Sequence, residues 1–182
     1  MRILLVMCCS VLTCAPFASA QETLRRIQPA EQRVAQLIAR GRAESPTFRR
    51  LTDDLEAADW LMFIQSGRCP DRSADGCLLH RVGHFEGRLY LRVLVTVDGR
   101  RPNHVVATLA HELYHAYEVV SDGTVTDDQT LASFTKRIAS SRFQASNATL
   151  YETKAARRIN QMVLRELRKP SGSKRSRMRP RL

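Results

Sequence analysis

The stretch PNHVVATLAHELYHAYEVV, Pro102 to Val120, decides how this chain of 182 residues is interpreted. Its apolar residues recur at helical spacing, which predicts one helix that begins near Pro102 and ends before Gly123. At about 100° per residue, His111 and His115 fall on one polar stripe, and the apolar residues fall on the opposite side. The helix is therefore expected to bury an apolar back and to turn two imidazoles in the same direction.

Within this helix, His111-Glu112-Leu113-Tyr114-His115 has the form HExxH. Two histidines four residues apart lie on one helix face and can bind one metal ion. The adjacent Glu112 can accept a proton from a water on that metal. The pattern is the signature of zinc metallopeptidases and predicts metal-assisted hydrolysis. The alternative is a chance match on a helix whose two histidines only have polar partners.

A zinc site with two histidines usually needs a third protein ligand, and Glu118 is the first candidate. It shares the histidine face but lies seven residues from His111, about 10.5 Å along a straight helix. The glycine and third histidine of the metzincin pattern are absent, because Ser121 stands at the histidine position. Glu118 is instead predicted to orient a histidine, or to be a solvated helix residue.

Glu152 is the preferred third ligand. It lies in the run LYETKAARRINQMVL, 150–164, which predicts a helix with Glu152 on an apolar face. A carboxylate there costs free energy unless it has a partner, and a metal ion is one such partner. In the alternative, Thr149 and Glu152 form a capping box that only closes the helix start. Tyr151 is a possible neighbour of the ligands.

HExxH followed by a glutamate on a second helix resembles the gluzincins, the thermolysin-like branch of zinc metallopeptidases. The run from about Ser45 to Arg168 more closely resembles a group of small secreted bacterial HExxH proteins. The resemblance implies that His111, His115 and Glu152 bind one Zn²⁺ per chain. It also implies that Glu112 is the general base for hydrolysis of a peptide or protein substrate. Four residues are chemically able to stabilise the oxyanion: Tyr114, Tyr117, Tyr151 and Arg157.

Two other functions stay open at this stage. One is a zinc-bound envelope-binding protein without hydrolytic activity, and the other is a metal-free structural domain. Zinc content distinguishes the metal-free structural domain from the two zinc-bound proteins. Peptide hydrolysis then distinguishes the peptidase from the envelope-binding protein.

Residues 1–20 have the pattern of a secretory signal peptide. Arg2 precedes an apolar run that ends near Leu12, and Ala18-Ser19-Ala20 forms a cleavage site of small residues. The run is too short to favour a membrane span, although an uncleaved anchor is an alternative. Cleavage before Gln21 predicts export to a periplasm or to the outside of the cell.

Cleavage would remove three of the five cysteines and leave Cys69 and Cys77, which flank a loop containing Pro, Asp and Gly. An even pair of cysteines in an exported protein predicts a disulfide. Free thiols or zinc ligands are the alternative.

Residues 21–168 are long enough for one domain, which we expect to be a monomer. The formal net charge of the chain is +11, and residues 169–182 contain six Lys or Arg and no acid. This segment is predicted to be a disordered basic tail that binds an anionic envelope polymer or lipid, or is solvated without a partner. Export argues against nucleic acid as its natural partner.

The remaining pattern predicts an α+β fold, in which a short antiparallel sheet packs on the HExxH helix beside additional helices. Arg88–Val97 directly precedes that helix and is predicted to be an edge strand for an extended substrate, or an ordinary core strand. His80 and His84 are interpreted as surface or loop residues, and His104 as a residue at the helix start. The other predicted elements are helices at 29–40, 45–57 and 128–139 and strands at 60–65 and 78–85.

Overall fold

A computed structural model describes residues 25–145 and 148–169 of the chain. The predicted signal peptide at 1–20 and all of the predicted tail beyond Lys169 lie outside these ranges. The helices are α1 (Gln32–Glu44), α2 (Pro46–Ala57), α3 (Pro102–Asp122), α4 (Asp128–Ile138) and α5 (Lys154–Glu166). The strands are β1 (Ile27–Pro29), β2 (Leu61–Ser66), β3 (Gly76–Leu78), β4 (Gly83–Phe85), β5 (Arg88–Val95), β6 (Ser141–Ala145) and β7 (Ala148–Glu152).

The main sheet has five strands and mixed directions. β1, β2 and β5 are adjacent and parallel. Helices α1 and α2 return the chain between β1 and β2, and the segment with β3 and β4 returns it between β2 and β5. β3 and β4 both pair antiparallel with the other side of β5. Glu86 and Gly87, both with positive φ, form the two-residue turn between β4 and β5. The α+β class is confirmed, but the sheet is mixed rather than antiparallel.

The position of β5 corrects the predicted edge strand. β5 has β2 on one side and β3 and β4 on the other, so it lies inside the sheet and cannot accept a further strand. Its alternation of apolar residues reflects burial, since Leu91, Val93 and Val95 are fully buried. β1 lies at one edge of the sheet, β3 and β4 lie at the other, and β3 contacts α3.

Helix α3 has the predicted position and forms the centre of the domain. Its apolar back is buried against the sheet and against α1, α2 and α5. Gly123, in the left-handed conformation with φ of 72°, ends the helix. Ser45 accepts a hydrogen bond from the backbone N–H of Phe48 and begins α2, as its Ser-Pro sequence predicts.

The start of α5 differs from the prediction. Glu152 is the last residue of β7, and Thr153 is the N-cap, whose side chain accepts the N–H of Ala156 at 3.1 Å. The predicted helix that included Glu152, and the capping box of Thr149 with Glu152, are therefore wrong. The local sequence favours helix through this stretch, but pairing of β7 with β6 overrides that preference.

Cys69 and Cys77 form the predicted disulfide, which links the loop after β2 to strand β3. Among the described residues, no helix combines the length and apolar character needed to cross a membrane.

Candidate metal centre

Three side chains from two parts of the chain meet at one point. Nε2 of His111 lies 3.2 Å from Nε2 of His115, on the outward face of α3. The carboxylate of Glu152 lies 3.4 Å from Nε2 of His111 through one oxygen and 3.6 Å from Nε2 of His115 through the other. The three residues form a group that could hold a metal ion. They are all only partly buried, so an ion can reach them from solvent.

The spacing of these donor atoms fits a tetrahedral metal centre. Ligand atoms at about 2.0–2.2 Å from a tetrahedral ion lie about 3.3–3.6 Å from one another. The two imidazole nitrogens, 3.2 Å apart, are close to that range, and Glu152 faces each of them with a different carboxylate oxygen, at 3.4 and 3.6 Å. Two imidazole nitrogens and one carboxylate leave a fourth position for water or substrate, as in catalytic rather than structural sites.

The position of Glu152 is fixed by the end of β7 and the start of α5. Its Oε1 accepts the backbone N–H of Thr153 at 2.8 Å, and Thr153 is buried as the N-cap of α5. Helix α5 packs against α3, so the carboxylate is brought over the two histidines. The candidate third ligand is thus a residue just before α5, whereas the sequence suggested a residue within that helix.

Without a metal, opposite charges hold this group together. Burial lowers the pKa of His115, but hydrogen bonds with Glu118 and then Glu152 outweigh it and raise the pKa to about 9. Burial raises the pKa of Glu152, but its hydrogen bonds with His111 and His115 lower the pKa to about 2. The metal-free site is therefore an ion pair around the position where a cation would bind.

Glu118 contacts His115 but does not face the point where His111, His115 and Glu152 meet. Its Oε2 lies 3.0 Å from Nδ1 of His115, on the far side of the ring from Nε2. A carboxylate at this nitrogen fixes the tautomer and the ring orientation of a metal-binding histidine. Of the two glutamates, Glu152 therefore belongs to the group that could hold a metal ion, and Glu118 contacts the outer ring nitrogen of one histidine in that group.

Glu112 is buried between α3 and β3, with 7% of its surface exposed. Its Oε2 accepts the backbone N–H of Leu78 at 2.8 Å. Burial raises the pKa of Glu112, although the nearby histidines and the Leu78 N–H act in the opposite direction. A raised pKa suits a group that takes up a proton near neutral pH.

The three donor residues line a cleft of about 210 Å³ between α3, β3, α4 and the end of β7. His80 lines the same cleft, and its ring stacks on Tyr151 with centroids 5.6 Å apart. The His80 side chain is exposed on one side and packed against protein on the other. This partial burial is the main cause that lowers the pKa of His80, and the positive charge of His115 lowers it further. His80 is a surface residue outside the strands, as predicted, but its position at this cleft was not predicted. No sequence spacing relates His80 to His111, because the strand pairing of β3 brings it there.

Other sequence candidates lie elsewhere. Tyr114 lines a separate groove beside α5, and Tyr117 is not among the residues that line the cleft. Nε of Arg157 lies 4.0 Å from Oε2 of Glu152 at the rim of the site. His84 in β4 and His104 at the start of α3 are exposed and do not line the cleft.

No protein-family model, curated protein or solved structure matches this chain.

Proposed function

We propose that this protein is a zinc-dependent metallopeptidase of the gluzincin type, which hydrolyses peptide bonds in the cleft between α3 and β3. One observation carries the proposal. The donor atoms of His111, His115 and Glu152 lie within 4.8 Å of one another, and Glu112, the neighbour of His111, lines the same cleft. Ligands and a base in one cleft are the minimum set for metal-assisted hydrolysis.

Zinc is the metal that best fits the whole site. Two histidines and one carboxylate also occur around Fe²⁺ in oxygenases, so the donor set alone does not decide. The buried Glu112 favours zinc, because a general base on the ligand helix serves hydrolysis. When bound, zinc supplies Lewis-acid chemistry that lowers the pKa of a coordinated water and polarises a carbonyl group.

The protein groups then have separate tasks. Glu112 takes a proton from the attacking water at Oε1, since Oε2 is held by the N–H of Leu78, and delivers it to the leaving amine. Glu118 holds the His115 ring through Nδ1. The carbonyl oxygen of the substrate needs a further donor, and His80 and Tyr151 are the cleft residues able to provide one.

Strand β3 is the element best placed to bind an extended substrate. It lies at the edge of the sheet, and Gly76, Cys77 and Leu78 all line the cleft. An extended peptide can add to such an edge through main-chain hydrogen bonds. This assignment replaces the one made for β5.

The disulfide between Cys69 and Cys77 supports a location in an oxidising compartment. Together with the predicted signal peptide, it favours a protein that acts in a periplasm or outside the cell.

The test combines metal content with hydrolysis. Protein purified with zinc should contain about one zinc per chain and should cleave a mixed peptide library, and a chelator should abolish cleavage reversibly. Glu112→Gln should keep zinc and lose cleavage, whereas His115→Ala should lose both. Glu44→Gln, which removes an exposed carboxylate from α1, is the matched control and should change neither.

Each failure has its own meaning. Absence of zinc from the zinc-replete protein contradicts the metal site and leaves a structural domain. Bound zinc without cleavage of any peptide favours the binding protein without hydrolytic activity. Cleavage that survives Glu112→Gln shows that Glu112 is not the base.

A further inference from the structure

The outward face of α5 carries a row of cations. Eight exposed residues recur at intervals of three or four along the helix and its first residues beyond, so they form one continuous face. We name this face the α5 stripe. It consists of Lys154, Arg157, Arg158, Gln161, Met162, Arg165, Arg168 and Lys169.

No acid interrupts the stripe. The one acidic residue of α5, Glu166, is turned inward, where its carboxylate accepts hydrogen bonds from the hydroxyl groups of Ser45 and Thr47. Within residues 25–145 and 148–169, one cation of the stripe has a carboxylate at salt-bridge distance: Nε of Arg157 lies 4.0 Å from Oε2 of Glu152. The other five cations therefore present their charge to solvent.

The back of α5 is held firmly against the domain. Val163 is fully buried, and the side chain of Asn160 donates a hydrogen bond to the carbonyl oxygen of Ala107 at 3.1 Å. At the other end, the side chain of Asn103 donates to the carbonyl oxygen of Leu167, also at 3.1 Å. The stripe is thus a fixed, straight array about 20 Å long over the 13 residues of the helix.

We propose that the α5 stripe docks this protein on a membrane surface that carries anionic lipid headgroups. A flat anionic surface can contact all members of a straight row at once. Clusters of four to eight Lys or Arg on an amphipathic helix are typical of such binding, and each cation near the surface contributes. Arg and Lys side chains are also long enough to reach headgroups while the helix stays on the domain.

An exposed apolar residue, Met162, lies midway along the stripe and favours lipid over a soluble polyanion as the partner. Met162 is one of two large apolar side chains in the described residues that are strongly exposed, at 37%. It lies among the cations, where an interfacial helix places apolar side chains into the headgroup region. Proteins that follow a nucleic acid strand instead combine a basic groove with aromatic side chains for base stacking, and the stripe contains no aromatic residue.

Docking would hold the metal centre near the surface. The stripe begins at Lys154, two residues after Glu152. The inference does not depend on the peptidase proposal, since a zinc-binding protein or a metal-free domain could dock in the same way.

The test is co-sedimentation of the chain from Gln21 onward, with its basic tail, on vesicles of phosphatidylcholine that contain about 30% phosphatidylglycerol. The stripe variant combines Arg158→Gln, Arg165→Gln and Arg168→Gln, and leaves Arg157 beside Glu152 unchanged. The matched control replaces three exposed arginines on other faces, Arg50→Gln, Arg72→Gln and Arg101→Gln. Both variants lose three positive charges and keep the tail. A difference in vesicle binding between them therefore shows that the position of the charges matters, and not only their number.

We expect the stripe variant to bind these vesicles about tenfold to a hundredfold more weakly than wild type, and the control to bind within about threefold of it. Vesicles of pure phosphatidylcholine should bind none of the three proteins. Equal losses in the two variants would overturn the proposal, because general charge would then explain binding. Wild-type binding to double-stranded DNA but not to the anionic vesicles would overturn it as well. Zinc content and peptide cleavage, measured on the same variants, should match wild type, so failure of docking is distinct from failure of the metal centre.

Discussion

Nδ1 of His115 lies 3.0 Å from Oε2 of Glu118, one turn further along α3. With Nδ1 donating to this carboxylate, Nε2 is the nitrogen that faces His111 and Glu152. A residue three positions away thus decides which nitrogen is available to a metal, and no loop is needed to orient the ring.

The first prediction follows from this contact. Glu118→Gln removes the negative charge and keeps an acceptor, so zinc affinity should fall about tenfold, and Glu118→Ala should lower it closer to a hundredfold. Competition with a chromophoric chelator measures the affinity. Glu44→Gln serves as the control on another helix. Unchanged affinity in both Glu118 variants would show that the contact does not orient His115 for binding.

A second prediction concerns the proton on His115. Its pKa of about 9 in the metal-free protein means that it is mainly protonated at neutral pH. A metal binds the neutral imidazole, so binding should release about one proton from this residue at pH near 7.5, and affinity should rise about tenfold per pH unit up to about 9. Calorimetry in buffers of different ionisation enthalpy counts the protons. A heat of binding that is independent of the buffer would contradict the prediction.

The same protonation of His115 should make the stability of the metal-free protein fall as pH rises, while zinc affinity rises. The folded pKa of His115 is raised above its ordinary value of 6.5. Its contribution to the free energy of unfolding is therefore fully present below about pH 6.5 and is lost as pH rises through about 9. Urea unfolding across this range, with chelator present, should show declining stability for wild type. A His115→Ala variant should show a smaller decline.

The sequence predicts α3 well because local features determine it. Apolar periodicity, Pro102 at the start and Gly123 at the end all belong to the segment itself. The geometry that places His111 beside His115 is also local, since residues four apart share a helix face. The convergence of these two histidines therefore required no knowledge of the rest of the fold.

Glu152 and His80 show where local reasoning fails. The chain around Glu152 has helical propensity, yet pairing between β6 and β7 keeps this residue in a strand. His80 reaches the cleft only because β3 pairs with β5, which no spacing in the sequence encodes. The same pairing places β3, rather than β5, at the sheet edge. A hairpin between consecutive strands decided the position of Glu152, and the pairing of β3 with β5, more distant in sequence, decided the other two outcomes.

A third prediction separates the structural role of Glu112 from its proposed role as a base. Glu112→Ala leaves the buried N–H of Leu78 without its acceptor, which costs about 1–3 kcal/mol of unfolding free energy. Glu112→Gln keeps an acceptor oxygen and should be as stable as wild type to within about 1 kcal/mol. Urea unfolding of the metal-free proteins measures both. Equal midpoints for the two variants would contradict the role of this hydrogen bond.

A fourth prediction concerns the close approach of β3 to α3. A Cβ atom at Gly76 would lie 2.4 Å from Cγ2 of Thr108 and 3.2 Å from Oε1 of Glu112. Gly76→Ala should therefore push β3 away from α3, lower stability by about 1–3 kcal/mol and disturb Glu112. Gly67→Ala is the matched control, because the nearest atom to its Cβ, in Leu94, lies at 3.7 Å. Peptide cleavage should fall in the first variant and not in the second, with zinc affinity retained in both. Loss of zinc from the Gly76 variant would show that β3 also supports the metal ligands.

The disulfide gives the fifth prediction, because it closes a loop that ends on the edge strand. Cys69 and Cys77 are eight positions apart, so the bond should contribute about 2–3 kcal/mol to the free energy of unfolding. Replacement of both by alanine should cause that loss. A reductant should destabilise wild type by a similar amount and leave the double variant unchanged. Zinc affinity should stay within about twofold, since the ligands belong to α3 and to the end of β7. If reductant instead releases zinc from wild type, the disulfide loop holds the metal centre as well as β3.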